Sequence, residues 1–113
     1  MKIIESYKHR YAKGILAEWL KDDYIRVDLE KEFVLDGQII FIADIACYKD
    51  GLEAVFEVIH THGLDANKLN KIQAWQYLNF EFQIFEVSAE WILRQVQKPE
   101  RIKKYNFSNY EPF

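Results

Sequence analysis

One cysteine, Cys47, stands in the whole chain. It cannot close an internal disulfide and offers no spacing for a thiolate metal site. Its expected place is a buried strand, as a small apolar residue. Two prolines and four glycines leave no linker, and no repeat or low-complexity segment divides the chain. No apolar run approaches the roughly 20 residues that a membrane helix needs. The start, Met1-Lys2-Ile3-Ile4-Glu5, has no apolar core long enough for a signal peptide, so the cytoplasm is the expected location.

What is present is enough apolar material for one core. Half of the 113 residues are hydrophobic and 16% are aromatic, so residues 1–113 read as a single domain. The net charge of −3 hides an asymmetry. Residues 1–93 carry 10 basic and 16 acidic side chains, whereas 94–113 carry Arg94, Lys98, Arg101, Lys103 and Lys104 against Glu100 and Glu111. The body is acidic and the tail, about 98–113, is basic and aromatic. Such a tail suits contact with phosphates; a solvated helix end and coil is the other reading.

Periodicity assigns the elements. From Ser6 to about Asp22, Tyr11, Ala12, Ile15, Leu16, Trp19 and Leu20 recur at spacings of three and four. That is one face of an amphipathic helix, with Ser6 as its N-cap. Gly14 inside it suggests close packing against a strand. Tyr24 to Leu35 alternates, with Ile25, Val27 and Leu29 on one side and Arg26, Asp28 and Glu30 on the other. Asp36-Gly37 and Asp50-Gly51 are hairpin-turn pairs. They make Ile39 to Tyr48 and Leu52 to Thr61 the second and third strands of an antiparallel meander.

Asp65 caps a helix whose inner stripe is Leu69, Ile72, Trp75, Gln76 and Leu78, and Asn79 ends it. Phe80 to Val87 alternates again as a fourth strand. Ser88 caps a last helix with Trp91, Ile92, Gln95 and Val96 inside, closed by Pro99. Tyr105, Phe107, Tyr110 and Phe113 are expected along the surface. The order is helix–three-strand meander–helix–strand–helix. It predicts an α/β fold of the α+β kind: a mixed sheet flanked by helices, strands three and four parallel through a right-handed crossover.

Two strands each carry one acid in an apolar run: Asp44 in Phe41-Ile42-Ala43-Asp44-Ile45 and Glu57 in Phe56-Glu57-Val58-Ile59. A lone acid there is costly unless it is paired or holds a metal. Acids on successive strands suit a hard divalent cation, which takes oxygen ligands. Pairing with Lys or Arg is the structural alternative. His60 and His62, alternating on the third strand, together with His9 form a weaker zinc candidate. They share the face opposite Glu57.

Four stretches in this order carry a resemblance. They are His9-Arg10-Tyr11-Ala12-Lys13, Ala43-Asp44-Ile45, Phe56-Glu57-Val58-Ile59-His60-Thr61-His62, and the run Leu64 to Ile72 followed by Phe82 to Ser88. Over about residues 6 to 95 the chain resembles the PD-(D/E)XK nuclease-like superfamily. Within it, the chain is most similar to the nuclease domain of competence protein CoiA and its relatives. The resemblance implies a restriction-endonuclease-like core and metal-dependent cleavage of phosphodiester bonds in nucleic acid, with DNA the expected substrate. It implies Mg²⁺ or Mn²⁺ on Asp44 and Glu57, with Glu18 on the first helix as a further metal-site acid. The family's catalytic Lys, two residues after Glu57, is Ile59 here. Some relatives carry Gln or another residue there and others recruit a Lys from the neighbouring helix, for which Lys68 and Lys71 are the candidates; Lys68 or His60 would then supply the positive charge. His9 and Lys13, one helical turn apart, and Arg94 and Lys98 are the expected nucleic-acid contacts. A homodimer would suit an enzyme cutting both strands. The second reading is a nuclease-like domain without catalysis, binding nucleic acid or protein, and the loss of the motif Lys favours it.

Overall fold

A computed structural model describes residues 7–59, 66–78 and 82–95, and the backbone of 107–110. It shows a mixed α/β architecture. The order is α1 (Tyr7–Leu20), β1 (Arg26–Leu35), β2 (Gln38–Lys49), β3 (Leu52–Ile59), α2 (Ala66–Leu78), β4 (Phe82–Ser88), α3 (Ala89–Arg94) and β5 (Phe107–Tyr110). The strands form one sheet in sequence order, antiparallel except for the parallel pair β3–β4, which is joined through α2. No helix among the described residues is long and apolar enough to cross a membrane.

The helices form where periodicity places them. In α1, Ala12, Leu16, Trp19 and Leu20 are buried. Tyr11, expected inside, is 56% exposed and stacks on Tyr7. Gly14 makes no close approach: a Cβ added there would meet no heavy atom within 4 Å. In α2 the inner residues are Ile72 and Gln76, and Leu78 is exposed. Gln76 donates from Nε2 to the Phe82 carbonyl at 2.9 Å, tying α2 to the start of β4. Ser88 caps α3, its hydroxyl accepting from Trp91 N at 3.2 Å, and the helix ends at Gln95. The proposed caps Ser6 and Asp65, and Asn79, Val96 and Pro99, lie outside the described residues. The tail does more than lie on the surface, because Phe107–Tyr110 pairs with β4 as a fifth strand.

Both hairpins turn as their sequences demand. Asp36-Gly37 and Asp50-Gly51 each have two successive positive φ angles, the signature of a type I′ turn. Glycine accepts the second position without steric cost.

Two apolar layers sandwich the sheet. On one face α1 and α3 pack with Ile45, Cys47, Phe56, Val58, Phe85 and Val87. On the other, Ile72 and Trp75 of α2 pack with Phe33, Phe41, Ala43, Val55 and Ile84. Cys47 is fully buried, as expected.

The β1–β2 hairpin changes face part-way along. Val27, Ile45 and Cys47 join the α1/α3 layer, yet Phe33, Phe41 and Ala43, of the same parity, join the α2 layer. Strict alternation cannot give this. The turnover sits at Glu30, a non-glycine residue with φ of +52°, and at Asp44 opposite, which the strand pairing skips. Ile25 and Leu29, read as inward, are therefore 77% and 50% exposed.

Phe56 anchors the larger layer, stacked on Phe85 at 4.8 Å and edge-on to Tyr24 at 6.1 Å. Phe56→Ala should destabilise the fold by about 3–5 kcal/mol. Urea unfolding followed by far-ultraviolet circular dichroism measures this. A cost under about 1 kcal/mol would mean that the ring is not packed as described.

Candidate functional site

The site lies where β2 and β3 part. Their antiparallel pairing runs from Lys49 and Leu52 as far as Ile45 and Phe56 and then stops. Beyond that point each strand offers an N–H with no ladder partner, and the two acids take them. Asp44 N donates to Glu57 Oε2 at 2.7 Å, and Val58 N donates to Asp44 Oδ2 at 2.8 Å. The carboxylates are thus clasped across the gap by backbone of the opposite strand. Each keeps its second oxygen, Asp44 Oδ1 and Glu57 Oε1, for another partner.

Two helices from opposite faces complete the site. Lys68 of α2 reaches Glu57 Oε1 and forms an ion pair, with its side chain 29% exposed and that of Glu57 2% exposed. From α1, His9 Nε2 lies 2.6 Å from the Val58 carbonyl and 3.5 Å from Asp44 Oδ2. A carbonyl only accepts, so Nε2 carries the hydrogen. Lys68, a candidate for the missing motif Lys, is thus brought beside Glu57.

The surroundings split the two acidities. Burial first, and then the negative charge of Asp44, push Glu57 up to about 7, against the pull of Lys68. Burial also acts to raise Asp44, but the His9 hydrogen bond, the Lys68 charge and the Val58 N–H outweigh it and hold Asp44 below its ordinary value. A pair of carboxyls pushed apart in this way marks a candidate site.

The other expected site residues do not converge here. Glu18 pairs with Lys21 at 2.8 Å on the exposed face of α1. It follows His9 by nine residues, about 13 Å along the axis and half a turn round, so helix geometry turns it away from the acid pair. Lys13 is not on a phosphate-facing surface: it is 4% exposed and forms an ion pair with Glu30. Arg94 is exposed in the last turn of α3, in the α1/α3 layer. Lys98, His60 and His62 lie outside the described residues.

Sequence reasoning placed His9 at a phosphate and did not foresee its bond to the third strand. It also gave Glu86 no place in the site, yet the β3–β4 register sets Glu86 directly beside Glu57. No local signal reveals that, because the register is set by a crossover through α2.

Among the described residues no three of His, Cys, Asp and Glu gather closely enough for an all-protein metal cage. Two facing carboxylates do fit Mg²⁺ or Mn²⁺. Mg²⁺ is usually held by one or two carboxylates, with waters and substrate phosphates as the remaining ligands. Compared with known proteins, the chain matches no family model, no curated protein and no solved structure.

The raised Glu57 makes stability depend on pH. Its extra proton affinity in the folded state stabilises fully below the ordinary value of 4.5, and this is lost as pH rises through about 7. Asp44 runs the other way: its contribution holds above 3.8 and is lost as pH falls through its lower folded value. Between pH 4.5 and 7 the unfolding free energy should therefore fall by on the order of 3 kcal/mol. Glu57→Gln keeps an oxygen for the Asp44 N–H and should flatten that slope. Urea titrations at several pH values compare the two, and equal slopes would mean that Glu57 is not the group responsible.

Proposed function

We propose that the chain is a divalent-metal-dependent nuclease with a restriction-endonuclease-like core, cleaving phosphodiester bonds in nucleic acid. The observation that carries this reading is the clasp of Asp44 and Glu57. Two carboxylates are aligned by backbone hydrogen bonds, each through one oxygen, and the second oxygen of Glu57 is held by the Lys68 ammonium. The element order and the parallel crossover from β3 to β4 support the same reading.

Asp44 Oδ1 and Glu57 Oε1 would hold Mg²⁺ or Mn²⁺. Such a cation supplies, when bound, a water of lowered pKa and polarisation of a phosphate oxygen. The backbone N–H groups of Asp44 and Val58 keep both carboxylates oriented without a substrate. Lys68 must leave Glu57 Oε1 for that oxygen to be a ligand. Its ammonium is then free to face a phosphate, the positive charge that Ile59 cannot provide. His9 holds Asp44 Oδ2 and the Val58 carbonyl in place from the α1 side.

One observation favours the second reading, a nuclease-like domain that binds without cleaving. The Lys68 ion pair offsets the charge of Glu57 without any metal. Calorimetric titration of Mn²⁺ into the wild type and Asp44→Asn separates the two, followed by incubation with several DNA forms. The nuclease reading expects Mn²⁺ binding that Asp44→Asn abolishes, and metal-dependent cleavage lost in the same variant. Nucleic-acid binding unchanged in EDTA, with no Mn²⁺ bound and no cleavage, would replace it with the binding-module reading.

A further inference from the structure

Beside the acid pair, a cleft of about 290 Å³ runs between the start of α2 and the outer half of β2. It is lined by Ile40, Phe41, Ile42, Asn67, Lys68 and Lys71. We propose that this cleft seats the sugar-phosphate backbone of a nucleic-acid strand, with Lys71 and Lys68 facing its phosphates and Ile40 against a sugar. The inference rests on the nuclease reading and names where its substrate lies.

Three observations point the same way. The first is continuity, since Lys68 both lines the cleft and reaches Glu57, so one side chain joins the cleft to the acid pair. The second is charge. On the β4 side Glu86 stands beside Glu57, and the β1 edge mixes Asp28, Glu30 and Glu32 with Arg26 and Lys31. A polyanion would meet carboxylates on the β4 side and a mixed surface along β1. On α2, Lys68 and Lys71 sit three residues apart, on one helix flank. Among the described residues Lys71 forms no ion pair, and it is exposed. The body of the chain is net acidic, so no long-range field draws a strand in, and local cations must do it.

The third is the floor. Ile40 is half-buried, packs against the α2 layer beside Phe41 and lines the cleft, beyond the turnover at Glu30 and Asp44. An apolar strip flanked by lysines matches a backbone that alternates sugar and phosphate. Lys13, the α1 cation first matched to phosphate, is committed to Glu30.

The test is fluorescence anisotropy in EDTA with a short labelled DNA strand, its duplex and the corresponding RNA strand. It compares wild type, Lys71→Gln, Ile40→Glu and Lys49→Gln. Lys49, exposed at the far end of β2, loses the same charge away from the cleft. Lys71→Gln should weaken binding several-fold and lower the salt slope by about one. Ile40→Glu should weaken it at least as much, and Lys49→Gln should match wild type. The probe on which Lys71→Gln acts identifies the form the cleft takes. If the wild type binds and neither cleft variant differs from it, the cleft is not the seat, while the nuclease reading stands. If the wild type binds none of the probes at low salt, the nuclease reading and this inference fall together.

Discussion

Where two antiparallel strands part, each leaves backbone hydrogens that the ladder no longer uses. In this chain the carboxylates of Asp44 and Glu57 take one such hydrogen each, and the rest of the site follows from that exchange. A buried backbone N–H without a partner is costly, and so is a buried carboxylate. Here each relieves the other. The arrangement also fixes which oxygens remain, and so what a cation or an ammonium can reach. A site aligned by main chain on two strands is held more rigidly than one built from long side chains on loops.

The same place is where the β1–β2 hairpin turns over. Glu30, in a left-handed conformation opposite Asp44, lets the outer half of the hairpin face α2 while the inner half faces α1 and α3. A left-handed non-glycine residue is unfavourable by roughly 1–2 kcal/mol, and Glu30 is held there with its carboxylate on the buried Lys13. Strain is thus located beside the acid pair, in keeping with its clustering at functional sites. Without the turnover, Phe33 and Phe41 would leave the cluster with Trp75, and the cleft beside Lys68 would lose its floor.

Lys68 stands at the balance between stability and chemistry. Its ammonium pulls Glu57 toward the charged form, against the burial and the Asp44 charge that still hold the group up at about 7. The acid pair is therefore already partly satisfied, and any cation must displace Lys68 to gain Glu57 Oε1. The contact that makes the fold tolerable with two buried acids is the one that ligand binding has to break.

Much of this was legible in the chain. The Asp-Gly pairs specified both hairpins, because positive φ at two successive residues is a local demand that those residues meet. Ser88 announced its helix through a bond three residues long. Asp44 and Glu57 stood out as lone acids in apolar strands, and Lys68, named from the next helix, does reach Glu57. Other readings failed where local rules met distant partners. Tyr11 and Leu78 fit an apolar stripe but meet solvent, and Leu29 obeys an alternation that Glu30 interrupts. Lys13 and Glu18 read as site residues from type and position, yet Glu30 and Lys21 claim them.

The sequence by itself determined the three helices, the first four strands, their order and the two acids, since these depend on periodicity, turn chemistry and the cost of burying charge; the fifth strand appeared only in the structure. Only the tertiary structure decided which strand hydrogens the acids would take, that His9 and Lys68 would meet them from opposite faces, and that Glu86 would stand beside Glu57. Those pairings join residues 11 to 49 positions apart, or depend on a register that α2 sets. No spacing along the chain encodes them until the layers close.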